Sequence, residues 1–286
     1  MTLKTRMTML ATGALLLGGT QLANAATILY NDFSSVAGMQ LNGNATQAGS
    51  ALRLTSALTS QSGSAFSTNS VSLASNASFS SAFRFRITNS GGICDGDGCG
   101  ADGLVFAVQT VSNTAGGAGG GIGYQGLAKS VGIEFDTWNN GGWDDNNGNH
   151  VGIDINGNID SVVQTGVGTR MNNGNVWSAW VDYNGNTDML EVRLAEGAAA
   201  LRPVSAMLTY NVDLTGVLQT TNAFVGFTSG TGSAYGNHDI LAWQFNSDYN
   251  PIQQVGAIPE PETYAMLLAG LGLLGAIKRR RDKAAR

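Results

Sequence analysis

The stretch VGIEFDTWNNGGWDDNNGNHVGIDING, residues 131 to 157, indicates how this chain folds. It begins and ends with apolar residues in alternation, which is typical of two strands joined by a polar loop. Side chains two positions apart in a strand point to the same side, so Glu134, Asp136 and Trp138 share one face. Two neighbouring carboxylates repel each other, and a bound cation would remove that repulsion.

The loop after these carboxylates supplies further groups that could hold a cation. It contains Asn140, Asp144 and Asp145, and it ends at His150. Oxygen ligands suit calcium, whereas an imidazole added to carboxylates suits a transition metal such as manganese. The simpler alternative is an acidic, Asn-rich turn with a surface histidine, which composition alone favours slightly.

Alternation with a period of two continues outward from this stretch. Apolar and polar residues alternate at 83–87, 190–194 and 241–245, as in antiparallel strands with one wet face. Further strands are predicted at 27–33, 104–110, 131–136, 151–155, 176–183, 206–212 and 223–228. About a dozen twisted strands must split into two packed layers. The sequence therefore predicts an all-β antiparallel sandwich, with helices expected only at the two ends of the chain.

The two ends differ in composition from the rest and define the predicted domain organisation. Residues 1–25 carry Lys4, Arg6, an apolar run and Ala23-Asn24-Ala25, the pattern of a signal peptide. We expect one folded domain over 26–250, a linker over 251–262 and an apolar segment with a basic end over 263–286.

The charge of the central region excludes one class of partner. Residues 26 to 257 hold 7 basic and 17 acidic residues, a formal net charge of −10. Because nucleic-acid binding depends on basic patches, we expect no nucleic-acid partner. The sequence leaves the oligomeric state open, and a homo-oligomer is among the states it allows.

Cys94 and Cys99 are the chain's two cysteines and lie in the segment CDGDGC. Export removes a protein from the reducing cytosol, so a local disulfide is the favoured interpretation. Two cysteines are too few for a zinc site. The bridge would close a small loop directly before Ala101, Asp102 and Gly103.

Four segments in one order resemble the legume-type (L-type) lectins. They are ADGLVF at 101–106, GGGIGYQG at 119–126, the EFDTWNN…HVGID segment at 134–154, and VGFTSGTGSAYGNHDILAWQF at 225–245. Together they cover roughly residues 26 to 246. The resemblance implies a concanavalin-like jelly roll that binds a sugar beside a manganese and calcium pair.

The resemblance also implies a role for each matching residue. Glu134 and His150 would serve Mn²⁺, and Asp136 would bridge it to Ca²⁺. The backbone carbonyl of Trp138 and the side chain of Asn140 would serve Ca²⁺. For the second bridging carboxylate, counting back from His150 favours Asp145, whereas matching a Trp-Asp pair favours Asp144; we adopt Asp145.

For the sugar, the resemblance implies contacts from the Asp102 and Asn140 side chains, the Gly123 amide and the Trp138 ring. Ser233 and Ala234 would add backbone amides from the last loop. It also implies a cis peptide bond between Ala101 and Asp102 and a structural role for His238. Ala234 stands where many relatives carry a polar side chain, so the resemblance does not identify the sugar.

Two alternatives to a lectin remain at this point. A β-glucanase on the same kind of jelly roll would need a second acid after Glu134 and Asp136, but the chain has Trp138 and Asn139 there. A structural matrix protein that binds no sugar is the other alternative. We therefore expect no enzymatic activity.

The C-terminal segment resembles the PEP-CTERM sorting signal of Gram-negative bacteria. Pro259, Glu260 and Pro261 precede an apolar stretch at 263–277 and a terminal cluster of Lys and Arg. Such a stretch would barely span a bilayer, with the basic end in the cytoplasm. The resemblance implies an inner-membrane anchor, processing by an exosortase, and delivery to the cell surface or an exopolysaccharide matrix, where the domain would bind a glycan or exopolysaccharide.

Overall fold

The structure is a computed structural model that describes residues 26–116 and 121–256. The predicted signal peptide, the sorting motif at Pro259, Glu260 and Pro261, and the tail at 263–286 lie outside those residues. In the described part of the chain, no helix has the length and apolar character needed to cross a membrane.

The described residues form eighteen strands, and every pairing between them is antiparallel. In chain order they are β1 (Thr27–Tyr30), β2 (Met39–Gly43), β3 (Thr46–Ala48), β4 (Ala51–Thr55), β5 (Ser62–Ser67), β6 (Val71–Ser72), β7 (Phe79–Gly92), β8 (Cys94–Asp95), β9 (Gly98–Cys99), β10 (Gly103–Gln109), β11 (Ser130–Asp136), β12 (His150–Ile155), β13 (Val163–Gly166), β14 (Val176–Asn184), β15 (Met189–Glu196), β16 (Leu208–Asn211), β17 (Asn222–Gly230) and β18 (Ala234–Asn246).

Two eight-stranded sheets contain all of these strands except the β8–β9 hairpin. The back sheet runs β16-β15-β14-β7-β18-β4-β3, and β1 also pairs with β18. The front sheet runs β13-β12-β11-β10-β17-β5-β2, and β6 also pairs with β17. The predicted all-β antiparallel sandwich is confirmed.

Aromatic side chains from both sheets fill the space between the layers. The ring centroid of Phe83 in the back sheet lies 5.7 Å from that of Phe106, 5.6 Å from that of Phe135 and 5.0 Å from that of Phe227, all three in the front sheet. All four rings are buried. Burying such a side chain stabilises a fold by about 1.5–3 kcal/mol, so the alternating apolar residues of the sequence hold the layers together.

The predicted strands all form, but the strands β2 to β6, β8, β9 and β13 and the short helices of the described residues were not predicted. β2, β3 and β6 are short strands at sheet edges, with weak apolar alternation. The helices are α1 (Ala74–Ala77), α2 (Leu214–Leu218) and a 3₁₀ helix at Gly141–Asp144. They have at most five residues, too few for a helical period to show in the sequence.

The folded unit extends past the predicted boundary at residue 250. Ile252 and Val255 fall in the predicted linker, yet both are buried against Trp180 on the outer face of the back sheet. That face also carries Ala82 and Ala242. The segment after β18 shields these apolar side chains from water.

Candidate functional site

The pairing of three front-sheet strands brings the candidate site together. In the β11–β12 pair, Asp136 lies opposite His150 and Glu134 opposite Gly152. In the β10–β11 pair, Gly103 lies opposite Asp136. Asp102 directly precedes β10, and its carbonyl accepts a hydrogen bond from the Thr137 amide at 2.8 Å. One end of these three strands therefore carries Glu134, Asp136 and His150 next to the predicted sugar ligand Asp102.

Glu134, Asp136 and His150 form a compact buried cluster. Each offers one ligand atom, and these three atoms lie within 4.8 Å of one another. Nε2 of His150 lies 3.0 Å from Oε1 of Glu134, and Nδ1 of His150 lies 2.9 Å from the carbonyl oxygen of Asn147. The arrangement holds the imidazole with one nitrogen facing the carboxylates.

A glycine on β12 makes room for this cluster. A Cβ atom at Gly152 would lie 2.4 Å from Oε1 of Glu134 and 2.0 Å from Oγ of Ser161. Any larger residue would displace the Glu134 carboxylate. Gly152, the glycine of the His-Val-Gly-Ile-Asp stretch, therefore leaves the space that the Glu134 carboxylate occupies.

Of the two adjacent aspartates in the loop, the structure buries Asp144. Its side chain is 3 % exposed, and its Oδ2 accepts a hydrogen bond from the backbone amide of Asn140. Asp145 follows the 3₁₀ helix in the left-handed region, with φ 48°, and its side chain is exposed. The fold thus places Asp144, and not Asp145, beside the cluster.

Ser161 and Asp154 also contact the cluster, and sequence reasoning missed both. Oγ of Ser161 donates a hydrogen bond at 2.8 Å to Oε1 of Glu134 or at 2.6 Å to Oδ1 of Asp154. Asp154 is fully buried. The alternation of β12, which puts Asp154 on the face of His150, could have revealed it; Ser161 lies in the following loop and gives no such signal.

The site concentrates buried negative charge. Burial and the charges of Glu134 and Asp144 raise the pKa of Asp136 well above its usual value. Burial, and then the Asp144 charge, raise the pKa of Asp102 to about 7, and burial raises the pKa of Asp144 to about 6. Among the described residues, His150 is the only basic side chain paired with any of these carboxylates. Bound cations would offset this charge.

Metal ions fit these residues by donor chemistry and by position. Buried carboxylates with one imidazole supply the hard oxygen and nitrogen donors that Ca²⁺ and Mn²⁺ take. Burial opposes protonation of His150, but its hydrogen bond to Glu134 and the charge of that carboxylate outweigh burial, so its pKa is raised. The raised pKa reflects the negative charge around the imidazole, which a bound cation would offset.

Two polar atoms at the predicted sugar site lack partners. In residues 26–116 and 121–256, Oδ2 of Asp102 and Nδ2 of Asn140 are buried and make no hydrogen bond. An unsatisfied buried polar atom costs about 1–3 kcal/mol, and a ligand that bonds to these two atoms would remove that cost. One atom accepts and the other donates, which matches what sugar hydroxyls need.

The other predicted sugar contacts occupy loops near Asp102. The amide of Asp102 donates to the carbonyl of Gly230 at 3.3 Å, three residues before Ser233. Ser233 is exposed, whereas Ala234 is buried and pairs with Gly92. The loop that carries Ser233, between the strands β17 and β18, thus begins beside Asp102.

Trp138 and Gly123 belong to the two remaining loops of the predicted sugar site. Trp138 is half-buried, and its amide donates to Oδ1 of Asp136 at 2.6 Å. Gly123 is buried with φ 70°. Its neighbour Ile122 accepts a hydrogen bond from Thr228 of β17 at 2.8 Å, which holds this loop on the front sheet. Gly119 and Gly120, also in the predicted loop, lie outside the described residues.

The disulfide, the cis peptide bond and the environment of His238 agree with the sequence-based expectations. Cys94 and Cys99 form the predicted disulfide, and the Ala101–Asp102 peptide bond is cis. His238 is fully buried, and its Nδ1 lies 2.7 Å from Oγ1 of Thr55. Burial lowers the pKa of His238 to about 3, so it stays neutral inside the sandwich.

Comparison with known proteins agrees with this architecture. The family model "Legume lectin domain" matches residues 25–260, and the "PEP-CTERM protein-sorting motif" matches residues 257–281. Lectin II from Ulex europaeus superimposes with a TM-score of 0.65 at 24% identity, covering 77% of this chain and 97% of that one. Peanut lectin gives a TM-score of 0.64 at 26% identity, covering 78% and 97%. These likenesses confirm the predicted jelly roll.

Relatives at the sequence level include both receptors and lectins. The L-type lectin-domain containing receptor kinase VIII.1 of Arabidopsis thaliana is 34% identical over 179 residues, which is 60% of this chain and 24% of the kinase. The lectin alpha chain of Lablab purpureus is 33% identical over 156 residues, 51% of this chain and 53% of that one. The chain thus spans about a quarter of the kinase and about half of the Lablab chain. With a family match over nearly the whole described region, this chain belongs to the legume lectin family and carries a PEP-CTERM sorting motif.

Proposed function

We propose that this protein binds carbohydrate in a Ca²⁺- and Mn²⁺-dependent manner and does not turn the carbohydrate over. The observation that carries the proposal is the juxtaposition of the buried Glu134, Asp136 and His150 cluster with unpartnered polar atoms of Asp102 and Asn140. The ions would supply the positive charge that the buried carboxylates lack. The unpartnered atoms would then meet sugar hydroxyls.

Each residue near the cluster has a proposed task. Glu134 and His150 would hold Mn²⁺, and Asp136 would contact both ions. Asp144 replaces Asp145 as the proposed second bridging ligand, because Asp144 is the buried one of the two. The Trp138 carbonyl and Asn140 would hold Ca²⁺. Binding in this way would fix Asn140 so that its amide group could reach the sugar.

The sugar itself would be held by short polar groups and one aromatic ring. The Asp102 carboxylate accepts hydrogen bonds from hydroxyls, and the amide of Gly123 can approach a ring closely because no Cβ intervenes. The half-exposed Trp138 ring would cover the apolar face of the sugar. Backbone amides at Ser233 and Ala234 would complete the contacts.

We further propose where the protein acts. The PEP-CTERM motif supports export, retention at the inner membrane through the C-terminal segment, and processing by an exosortase near Pro259, Glu260 and Pro261. The mature protein would then bind a glycan or exopolysaccharide at the cell surface or in the extracellular matrix.

A glycan array tests this function. The protein with Ca²⁺ and Mn²⁺ should bind a subset of glycans, and EDTA should abolish every signal, because Asn140 depends on the ions for its orientation. A parallel assay should detect no release of reducing sugar. An array without any hit would favour a structural matrix protein, and sugar release would favour a glycoside hydrolase.

The two adjacent aspartates give a matched pair of variants. We expect Asp144→Asn to lower Ca²⁺ affinity by about tenfold to a hundredfold, since it removes a buried anionic ligand. Asp145→Asn should bind Ca²⁺ with unchanged affinity, because that side chain faces solvent. Calorimetric titration of metal-free protein measures both. The reverse result would restore Asp145 as the ligand.

A further inference from the structure

The disulfide hairpin β8–β9 touches the backbone of the metal-binding loop at two places. Oδ2 of Asp95 accepts a hydrogen bond from the Asn139 amide at 2.9 Å, and Oδ2 of Asp97 accepts one from the Gly148 amide at 2.7 Å. These contacts join residues 44 and 51 positions apart in sequence. Neither aspartate contacts the cluster of Glu134, Asp136 and His150.

The two contact points are the two ends of one loop. Asn139 and Gly148 lie side by side, because a Cβ atom at Gly148 would be 3.0 Å from the Asn139 amide nitrogen. Between them the chain carries Asn140 and Asp144, two of the proposed ligands. The same Cβ position lies 2.6 Å from Oδ2 of Asp95 and 3.0 Å from Oδ2 of Asp97. Both carboxylates therefore lie at the neck of the loop, by which we mean the place where Asn139 and Gly148 meet.

The hairpin is itself held in shape. The Cys94–Cys99 disulfide joins its strands, and Oδ1 of Asp95 accepts hydrogen bonds from the amides of Asp97 and Gly98, both at 2.8 Å. The Cys99 carbonyl accepts a hydrogen bond from Nδ2 of Asn172 at 3.1 Å. A stiff element attached to the sandwich therefore presents the two carboxylates to the loop.

The hairpin also reaches the other side of the site. The amide of Ile93 donates to the carbonyl of Ser233 at 3.4 Å, in the last loop of the predicted sugar site. Arg170 packs beside Gly98 and donates from Nη2 to the Thr137 carbonyl at 3.1 Å. The hairpin and Ile93, the residue before it, thus contact both the 139–148 loop and the last loop of the predicted sugar site.

We infer that the Cys94–Cys99 hairpin is a positioning element that closes the neck of the 139–148 loop through Asp95 and Asp97 and so prepares Asn140 and Asp144 for Ca²⁺. This inference rests on the proposed function. A loop that is ordered before binding loses less conformational entropy when its ligand arrives, so affinity rises without any new contact to the ion. Asp95 and Asp97 act through the loop backbone and not as ligands.

Conservative and disruptive variants of one residue separate positioning from general loss of structure. Asp97→Ala removes the acceptor for the Gly148 amide, whereas Asp97→Asn keeps an oxygen that can take its place. Asp95→Asn keeps one oxygen for the hairpin amides or for Asn139, but not for both. Asp248→Asn, at an exposed position after β18, is the control.

Calorimetric titration of full-length, metal-free protein with Ca²⁺, in saturating Mn²⁺, tests the inference. We expect affinity to fall about tenfold in Asp97→Ala, in Asp95→Asn and in the Cys94→Ser/Cys99→Ser double variant. Asp97→Asn should stay within about threefold of the unaltered protein, and Asp248→Asn should match it. Melting temperatures of the aspartate variants in EDTA should be unchanged, since the sandwich core is not involved.

The outcomes distinguish this inference from the proposed function. Ca²⁺ affinity equal to that of the unaltered protein in both Asp97→Ala and the double cysteine variant overturns the positioning role and leaves the proposed function standing. An equal loss in Asp97→Ala and Asp97→Asn also overturns it, because charge and not the backbone contact would then matter. Failure of the unaltered protein to bind Ca²⁺ overturns both.

Discussion

The Glu134→Gln variant is expected to lose its metal ions and, with them, all detectable sugar binding. The change keeps the size of the side chain but removes a buried negative charge within 3.0 Å of His150. Loss of a metal ligand should weaken metal affinity by at least about a hundredfold, since even residues behind a ligand contribute tenfold to a hundredfold. Elemental analysis measures metal content, and calorimetry measures sugar affinity.

Thermal unfolding gives an independent measure of the same prediction. The melting temperature of the unaltered protein should fall by about 5 to 10 °C in EDTA, because ligand at a hundred times its dissociation constant stabilises a fold by about 2.7 kcal/mol. The Glu134→Gln melting temperature should not respond to EDTA.

The matched control is Glu196→Gln, which changes an exposed carboxylate that accepts hydrogen bonds from Asn173 and Asn175 at the surface. It should bind metal and sugar as the unaltered protein does. Retention of both ions by Glu134→Gln would show that the buried cluster is not the metal site.

The Asp102→Asn variant is expected to keep its metal ions but bind sugar about tenfold to a hundredfold more weakly. At about pH 8, above the pKa of about 7 that burial and the Asp144 charge give Asp102, the substitution replaces an anionic acceptor with a neutral amide of the same size. Charge-assisted hydrogen bonds contribute roughly 1.5 to 3 kcal/mol, and Oδ2 of Asp102 has no partner among the described residues to compensate. Calorimetry with a glycan identified on the array measures the change.

Metal content is the control for this variant, and Asp160→Asn, at an exposed position, is the matched substitution. Asp102→Asn and Asp160→Asn should both carry the metal content of the unaltered protein. If Asp102→Asn loses metal, Asp102 belongs to the metal site. If it retains both metal and full sugar affinity, the sugar binds elsewhere on the domain.

Strand periodicity explains why part of the site could be predicted from the order of the residues alone. Glu134 and Asp136 are two residues apart, so any strand through them places both side chains on one face. His150 begins the next strand, and antiparallel pairing sets it opposite Asp136. The three residues could be grouped because two simple rules relate them. Side chains alternate within a strand, and consecutive antiparallel strands pair with each other.

The side-chain directions of the loop residues could not be predicted from strand periodicity. Asp144 and Asp145 are adjacent and chemically identical, so only the backbone path decides which one points inward. The left-handed conformation of Asp145 after the 3₁₀ helix turns its side chain toward solvent. Ser161 likewise reaches Glu134 from 27 positions away, through a loop with no periodicity.

The order of residues was enough to predict the all-β sandwich, the Cys94–Cys99 disulfide and the grouping of Glu134, Asp136 and His150, because alternation and cysteine chemistry are local properties of a chain. Contacts that form only on folding bury Asp144, place Ile252 and Val255 over the back sheet, and bring the cysteine hairpin against the 139–148 loop. Each of these depends on contacts between segments distant in sequence or on the dihedral angles of a loop, and no periodic pattern of residues encodes them.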